Sequence, residues 1–478
     1  MERILSVEQM RAADAFTIEK LGFTAETLTE RAGVAVAQEI ISRLKGGRVL
    51  VCIGKGNNGA DGRVIAKILG ATHGFSVVTM TVNNGIFKLF DKKFDIIVDC
   101  IFGTGLNREV SGKIKTAIEK INESGAFVVS CDIASGLNGD TGRVMGAAVK
   151  ANLTVAIQEF KLGHFINDGP DYSGEVIAKD IGISIWSDDY AQRLTAEDAA
   201  EFFAPLKRNV NKGCFGKVGV IGGSKSFSGS AVLSMNALIA MKLGNGYSYV
   251  AVPDCIFPSL CGLNPECILT SLPDDGENLV MNEDRLKPLL SLDSVAAGMG
   301  MGVTEENYKI IKYLLTEYNG KLLIDADGLN TLAKFGAEVL KEKKCAVVLT
   351  PHIGEFARLT GKEKEEIIKD PVSEAKAFAK EYGVTLVLKS AVTIITDGIS
   401  VYLNTTGTPG MAKAGSGDVL SGIIAGLLAK SDYALDSAAA GCWLFGKTGE
   451  IVAKKLTDYA MTASDVVNGL PETIASLV

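Results

Sequence analysis

The chain has 478 residues, 47% hydrophobic and 22% charged, which is enough apolar surface for buried cores and too much chain for one ordinary domain. Lysine and arginine number 49 against 56 aspartates and glutamates, and the net charge of −7 argues against nonspecific nucleic-acid binding. Nine cysteines with no C-x-x-C pair, together with three histidines, exclude a disulfide scaffold and a structural zinc site.

At the N-terminus the acids Glu2 and Glu8 exclude a secretory signal. No run of about 18 to 20 apolar residues follows, so neither a membrane span nor a membrane partner is expected, and a cytoplasmic location is. The first half alternates β-rich runs with amphipathic stretches: VLVCIG (49–54), FSVVTMTV (75–82), FDIIVDCI (94–101), FVVSCDI (127–133) and LTVAIQ (153–158). Strand, loop, helix, strand predicts a parallel sheet covered on both faces, a Rossmann-like three-layer sandwich. The alternation pauses near 184–195. A helix is predicted over 195–206 with Thr195 as N-cap, and a new series of strands starts with KVGVIGG (217–223). YSYVAV, SVAAGM, KLLIDA, AVVLTP, VTLVLK, TIITDG and SVYLN continue it. The domain boundary is placed near 188, giving 1–188 and 189–478.

In the first half, Gly54-Lys55-Gly56-Asn57-Asn58-Gly59-Ala60-Asp61-Gly62 joins a strand to a helix, where glycines bend the backbone and free helix N–H groups face anions. It contains G-x-G-x-x-G. The acid that a dinucleotide-binding unit needs about 20 residues on is missing from Thr79-Met80-Thr81-Val82-Asn83, so an ordinary NAD oxidoreductase is disfavoured. Asp99 and Asp132 close the next two strands and lead into CIFGTGL and IASGL. One such Asp reads as a turn residue; recurrence at three neighbouring strand ends points to a ligand crevice. Asn58, Asp99 and Ser135 offer hard oxygens, which favour an alkali or alkaline-earth ion. Lys161, in FKLG, is read as an exposed strand-end lysine in preference to a substrate contact.

NNGADG, VDCIFGTGL and CDIASGLNGD together resemble the three signature loops of the NAD(P)H-hydrate epimerase family. The resemblance implies a hydrated nicotinamide nucleotide as substrate and a bound potassium ion held by Asn58, Asp99 and Ser135. It implies substrate contacts at Asn57, Asn58, Gly59, Ala60 and Asp61, and at Gly103, Thr104, Gly105, Leu106, Asn107, Arg108 and Glu109. Asp132 would bind substrate and act in acid–base catalysis. Ala60 and Ala134 stand where the family usually has glycine and proline, and the β-carbon of Ala60 disfavours φ > 0.

In the second half, residues 404–418 run into a helix whose apolar residues 420, 423, 424, 427 and 428 have helical spacing. Gly415, Ser416 and Gly417 would lie at its N-terminus, where amides and the dipole suit transferring phosphate charge. Asp418 is open to two readings: a stabilising acid in the first turn, or a base that deprotonates a substrate hydroxyl. KSAVT (389–393), TPHIGEF (350–356) and DADGL (325–329) each follow a β-rich run. The G-x-G-D segment resembles the anion hole and base of ribokinase-type enzymes. With KGCFGKVGVIGGS, FSGSAVLSMNAL and GMGMG it resembles the ADP/ATP-dependent NAD(P)H-hydrate dehydratase family, a ribokinase-like α/β fold. That resemblance implies hydrate contacts at Ser230 or Ala231, Gly300, His352 and Asp418. It implies adenine-nucleotide contacts at Lys389, Ser390, Ala391, Val392 and Thr393, and at Thr408, Pro409, Gly410, Met411, Ala412, Lys413, Ala414, Gly415, Ser416 and Gly417. Ser390 and Ala414 replace glycines common in those loops. The two halves together match the fused repair enzymes, which epimerise the R and S hydrates and then dehydrate the S hydrate with ADP, releasing AMP and phosphate. Magnesium and a homo-oligomer are also expected. The rivals are a kinase of the hydroxymethylpyrimidine or hydroxyethylthiazole type carrying an N-terminal nucleotide-binding module, and a nonenzymatic first domain.

Overall fold

The computed structural model describes residues 1–82, 93–239 and 243–478, with side chains of 235–239 left aside; Asn83 and the side chains of Met235 to Leu238 lie outside that description. The chain divides into two compact units, Glu2–Ala191 and Met1 with Gln192–Val478. Among the described residues no helix is long and apolar enough to cross a membrane.

The first unit contains strands β1 (Glu2–Leu5), β2 (Gly47–Ile53), β3 (Phe75–Thr81), β4 (Ile96–Cys100), β5 (Phe127–Cys131), β6 (Leu153–Ile157), β7 (Phe160–Lys161) and β8 (Glu175–Lys179). Its main helices are α1 (Val7–Leu21), α2 (Ala25–Arg43), α3 (Asn57–Ala71) and α4 (Gly112–Glu123). Six strands form a parallel sheet in the order β3-β2-β4-β5-β6-β8. The unbroken apolar run of β2 follows from burial on both faces. Val49, Val51 and Ile53 pack with Val36, Ile40 and Ile65 of α2 and α3, while Leu50 and Cys52 pack with Ala117, Ile118 and Ile121 of α4. Strands β1, β7 and β8 escape the sequence reading because each is short or half-exposed.

The second unit contains β9 (Lys217–Ile221), β10 (Tyr247–Pro253), β11 (Cys267–Leu272), β12 (Ser294–Ala297), β13 (Lys321–Ile324), β14 (Ala346–Leu349), β15 (Thr385–Leu388), β16 (Thr393–Thr396) and β17 (Val401–Asn404). Its longer helices are α5 (Ser228–Ile239), α6 (Glu305–Glu317), α7 (Asp327–Phe335), α8 (Ile353–Thr360), α9 (Pro371–Tyr382), α10 (Ser416–Leu428), α11 (Ala434–Ala460) and α12 (Ala463–Ala475). The sheet order is β11-β10-β9-β12-β13-β14-β15-β16-β17. Pairing is parallel as far as β15 and antiparallel from there to β17. The connections at that end are too short for a crossover helix, so the chain turns back on itself. Leu420, Ile423, Ile424, Leu427 and Leu428 are all buried, and so are Val419 and Ala425. Helix α10 is therefore enclosed on every side. A β-carbon on Gly426 would lie 2.7 Å from Leu243 Cδ1, so the helix packs closely there. Thr195 caps Ala196–Ala200 in a box with Asp198, and a 3-10 turn ends at Phe203. The predicted helix stops short of 206 because Ala204 precedes Pro205 and is extended, ψ 148.

Two glycines fix the strand-end loop of the first unit. A β-carbon on Gly54 would lie 1.9 Å from Ile101 O, and one on Gly59 would lie 2.1 Å from Gly54 O. Gly54→Ala is expected to destabilise the unit by about 1–3 kcal/mol or more, because backbone must shift. The urea midpoint would fall; an unchanged midpoint would contradict the packing.

Candidate active sites

In the first unit the loops after β2, β4 and β5 meet at a cavity of about 650 Å³. Asn57, Asn58, Asp61, Gly103, Thr104, Gly105, Leu106, Asn107, Arg108 and Asp132 line it. Arg11, Asp14, Lys55 and Lys161 line it too. Gly59, Ala60 and Glu109 are not among the lining residues. Gly59 serves close packing of α3 against Gly54, and Ala60 is an ordinary helical residue whose N–H donates to Gly56 O at 3.2 Å. The left-handed geometry considered for Ala60 is not required, since its φ is not positive.

Lys161 corrects the sequence reading. It is 1% exposed, and its ammonium donates to Asp132 Oδ1 at 2.5 Å and to Ile157 O at 2.7 Å. A side chain with an ammonium this deeply buried calls for a carboxylate partner, and Asp132 supplies it. Burial pushes the Asp132 carboxyl up, but the Lys161 ammonium and nearby His164 outweigh it and hold it below the usual range. His164 Nδ1 accepts from Lys161 N at 3.1 Å, so the proton sits on Nε2 and donates to Asp132 O at 2.8 Å. Asp132 itself has φ 68, a strained backbone for a non-glycine residue. His164 was missed; its signal was the three-residue spacing from Lys161.

Asp99 is fully buried and accepts from Ser135 Oγ (2.6 Å), Ser135 N (2.8 Å), Ser130 Oγ (2.9 Å) and Ile101 N (3.2 Å). Burial raises its pKa against those bonds. Asn58 Nδ2 donates to Phe102 O at 2.9 Å and Cys131 O at 2.8 Å, while its buried Oδ1 has no donor. Ser135 Oγ lies 3.1 Å from that same Phe102 oxygen. Asn58 is joined through Phe102 O to Ser135, and Ser135 to Asp99; among the described residues the orphaned Asn58 Oδ1 is a hard oxygen of the class that fits an alkali cation. Asp61 is buried; burial and the like charges of Asp132 and Asp14 push it up to about 7.

In the second unit Gly415, with φ 88, caps α10, and Ser416 and Gly417 form its first turn. Lys389 donates to Asp325 Oδ1 at 2.8 Å, and Ser421 Oγ donates to Asp325 Oδ2 at 2.7 Å. A β-carbon on Gly417 would lie 3.4 Å from Lys389 Nζ, so the ammonium stands against the helix start. Burial pushes Asp418 up to about 7, with Asp325 adding to it and a Ser230 hydrogen bond and Lys389 opposing. Gly300, φ 66, leaves no room for a side chain beside Ser230, with a β-carbon 2.8 Å from Ser230 Cβ. Ala231 is fully buried in the core, so Ser230 is the member of that pair whose side chain meets Asp418. His352 caps α8: its Nδ1 accepts from Gly354 N (2.9 Å) and Glu355 N (3.2 Å), leaving Nε2 protonated on a half-exposed ring. Burial, Lys389 and Arg358 lower its pKa. Its backbone bridges to Lys389.

Thr393, which ends the first expected nucleotide segment, pairs in the sheet with Asn404, a few residues before the second begins at Thr408. Ser390 Oγ donates to Val392 O at 2.6 Å, and Val392 and Thr393 are buried. Ala412, Lys413 and Ala414 are exposed. Asp325 and Ser421 were missed as a pair, because nothing in sequence spacing joins positions 96 residues apart.

These are two α/β units, each with carboxylates and a helix N-terminus at the carboxyl ends of parallel strands. Residues 218–472 match the family described as NAD(P)H-hydrate dehydratase, and residues 25–88 and 86–163 match the YjeF-related protein N-terminus. The bifunctional NAD(P)H-hydrate repair enzyme Nnr of Thermofilum pendens is 33% identical over 99% of this chain and 97% of its own. That of Moorella thermoacetica is 32% identical over 99% and 97%. Among solved structures, a ribokinase-like superfamily protein from Enterococcus faecalis aligns with TM-score 0.52 at 25% identity, covering 62% of this chain and 99% of its own. The ADP/ATP-dependent NAD(P)H-hydrate dehydratase of Bacillus subtilis, at 24% identity, TM-score 0.52 and coverage of 60% and 99%, shares the fold. The chain belongs to the family of bifunctional NAD(P)H-hydrate repair enzymes.

Asp61 titrates near 7 when folded and near 4 when unfolded, so the unfolded chain sheds its proton first as pH rises. Stability therefore falls between about pH 4 and 7 and stays reduced above. Asp61→Asn should leave stability unchanged at about pH 4 and raise it by a few kcal/mol at about pH 8. Equal effects at both pH values in chemical denaturation would contradict this.

Proposed function

We propose that the first unit interconverts the R and S epimers of hydrated NADH and NADPH, and that the second dehydrates the S epimer with ADP, releasing AMP and phosphate. The observation that carries the reading is Asp418: a half-buried carboxylate, titrating near 7, in the first turn of a helix whose N-terminus faces Lys389. A base matched to neutral pH beside an anion hole is what phosphorylation of a hydroxyl requires. Asp418 takes the hydroxyl proton as its oxygen attacks the β-phosphorus of ADP and AMP departs. Amides of Gly415, Ser416 and Gly417, with the Lys389 ammonium, bear the phosphoryl charge. Phosphate then leaves with loss of a neighbouring ring proton. Hydroxide leaves poorly and phosphate well, which is why a ribokinase-like fold serves a lyase.

Epimerisation breaks and remakes a bond at the hydroxyl-bearing carbon, so it needs a proton acceptor and a donor. Asp132, held ionised by Lys161, suits the first role, and Asp61, near 7, suits exchange. Asn58, Asp99 and Ser135 would hold a potassium ion, whose fixed charge would complement the substrate's phosphates. Magnesium would accompany ADP. The nine free thiols suit a reducing cytoplasm, and a homo-oligomer is part of the same reading.

With hydrated NADH and ADP, monitored by recovery of NADH absorbance, Asp418→Asn should lower dehydration by about 10²–10⁴-fold and leave epimerisation intact. Normal turnover would remove Asp418 from its role. The wild-type rate should rise with pH through about 7, as Asp418 loses its proton. Asp132→Ala should convert the S epimer and leave the R epimer unused; consumption of R at the wild-type rate would contradict its assignment.

A further inference from the structure

The loop from Thr408 to Gly417 is tied at one place to the end of α11. Asp458 Oδ1 accepts from Thr408 Oγ1 and from Gly410 N, the latter at 3.0 Å. In the reverse direction, Lys413 Nζ donates to Asp458 O (3.1 Å), Tyr459 O (2.8 Å) and Met461 O (2.5 Å). An ammonium has three donors, and these carbonyls use all of them. The Lys413 charge is thus spent on backbone and holds no free N–H for a phosphate.

The partner segment is shaped for this contact. Helix α11 is interrupted at Thr457, a β-branched residue with φ 66 and ψ 160. Such a backbone is strained for threonine and persists only where its surroundings enforce it. On the loop side, Gly410 has no room for a side chain: a β-carbon there would lie 2.5 Å from Met461 Sδ and 2.7 Å from Asp458 Cα. Asp458 and Lys413 are themselves exposed, so this clasp is not part of the hydrophobic core.

We infer that Asp458 is a positioning residue which, with Lys413, pre-forms the Thr408–Gly417 loop to receive the adenine nucleotide; this rests on the reading of that loop under Proposed function. Asp458 is bonded to the loop at Thr408 and Gly410 and acts through it. A loop already ordered loses less entropy on binding, so the clasp raises nucleotide affinity and leaves the chemical step to Asp418.

The test is steady-state kinetics of the full chain with hydrated NADH and varied ADP. Asp458→Ala and Lys413→Met should each raise the KM for ADP by about tenfold while kcat changes far less. Asp458→Asn keeps an acceptor oxygen and should raise KM less. Gly410→Ala, which forces the clasp apart without removing a charge, should reproduce the KM effect. Near-ultraviolet circular dichroism and the thermal unfolding transition of the same samples report whether the second unit is folded. An unchanged KM for ADP in Asp458→Ala, or a loss confined to kcat, overturns the inference. If Asp458→Ala does not fold, Lys413→Met and Asp458→Asn decide it by the same criterion. Wild-type chain that shows no ADP-dependent dehydration would instead overturn the function on which the inference rests.

Discussion

A carboxylate taken out of water must be neutralised, hydrogen-bonded or protonated, and that constraint assigns the acids of both units to their tasks. Asp99 is saturated by four hydrogen bonds from hydroxyls and amides. Asp132 is paired with buried Lys161, and Asp325 with Lys389 and Ser421. These three are fixed parts of their crevices. Among the described residues no cation forms an ion pair with Asp61 or Asp418, and their strongest electrostatic neighbours include other acids. Burial and neighbouring acids push both to about 7, where proton transfer at neutral pH is efficient. The same physical rule thus yields one poised acid in each unit, on two sheets of different topology.

Parallel strands make this arrangement possible. Their carboxyl ends share one edge, so loops distant in sequence converge there. Close backbone approach then decides which loops fit. Gly54 and Gly59 bring α3 onto the end of β2, and Gly417 brings the start of α10 against Lys389. Sites of this kind need small residues at a few backbone crossings and permit variation elsewhere, which is how Ala60 occupies its position without strain.

The architecture was largely legible in the sequence. Apolar runs such as VLVCI declare strands buried on two faces, and residues 419–428 declare a buried helix. Short edge strands were not legible: Cys267–Leu272 is only half buried, and Phe160–Lys161 has two residues. Site residues followed the same division. Asp132 and Asp418 could be found because each sits beside glycines at the end of a periodic run. Lys161 was misjudged as exposed because its partner is 29 residues away, and the Asp325–Ser421 pair spans 96. Pairings across a sheet leave no periodic trace. Lys413 is a nucleotide contact by resemblance alone; its hydrogen bonds to the carbonyls of Asp458, Tyr459 and Met461 leave no trace in the sequence.

The claim that burial poises Asp418 is most directly tested by infrared difference titration of the full chain. A protonated carboxyl band, assigned by its loss in Asp418→Asn, should vanish with a midpoint at about 7. A band already absent at about pH 5, where an ordinary aspartate is ionised, would contradict it.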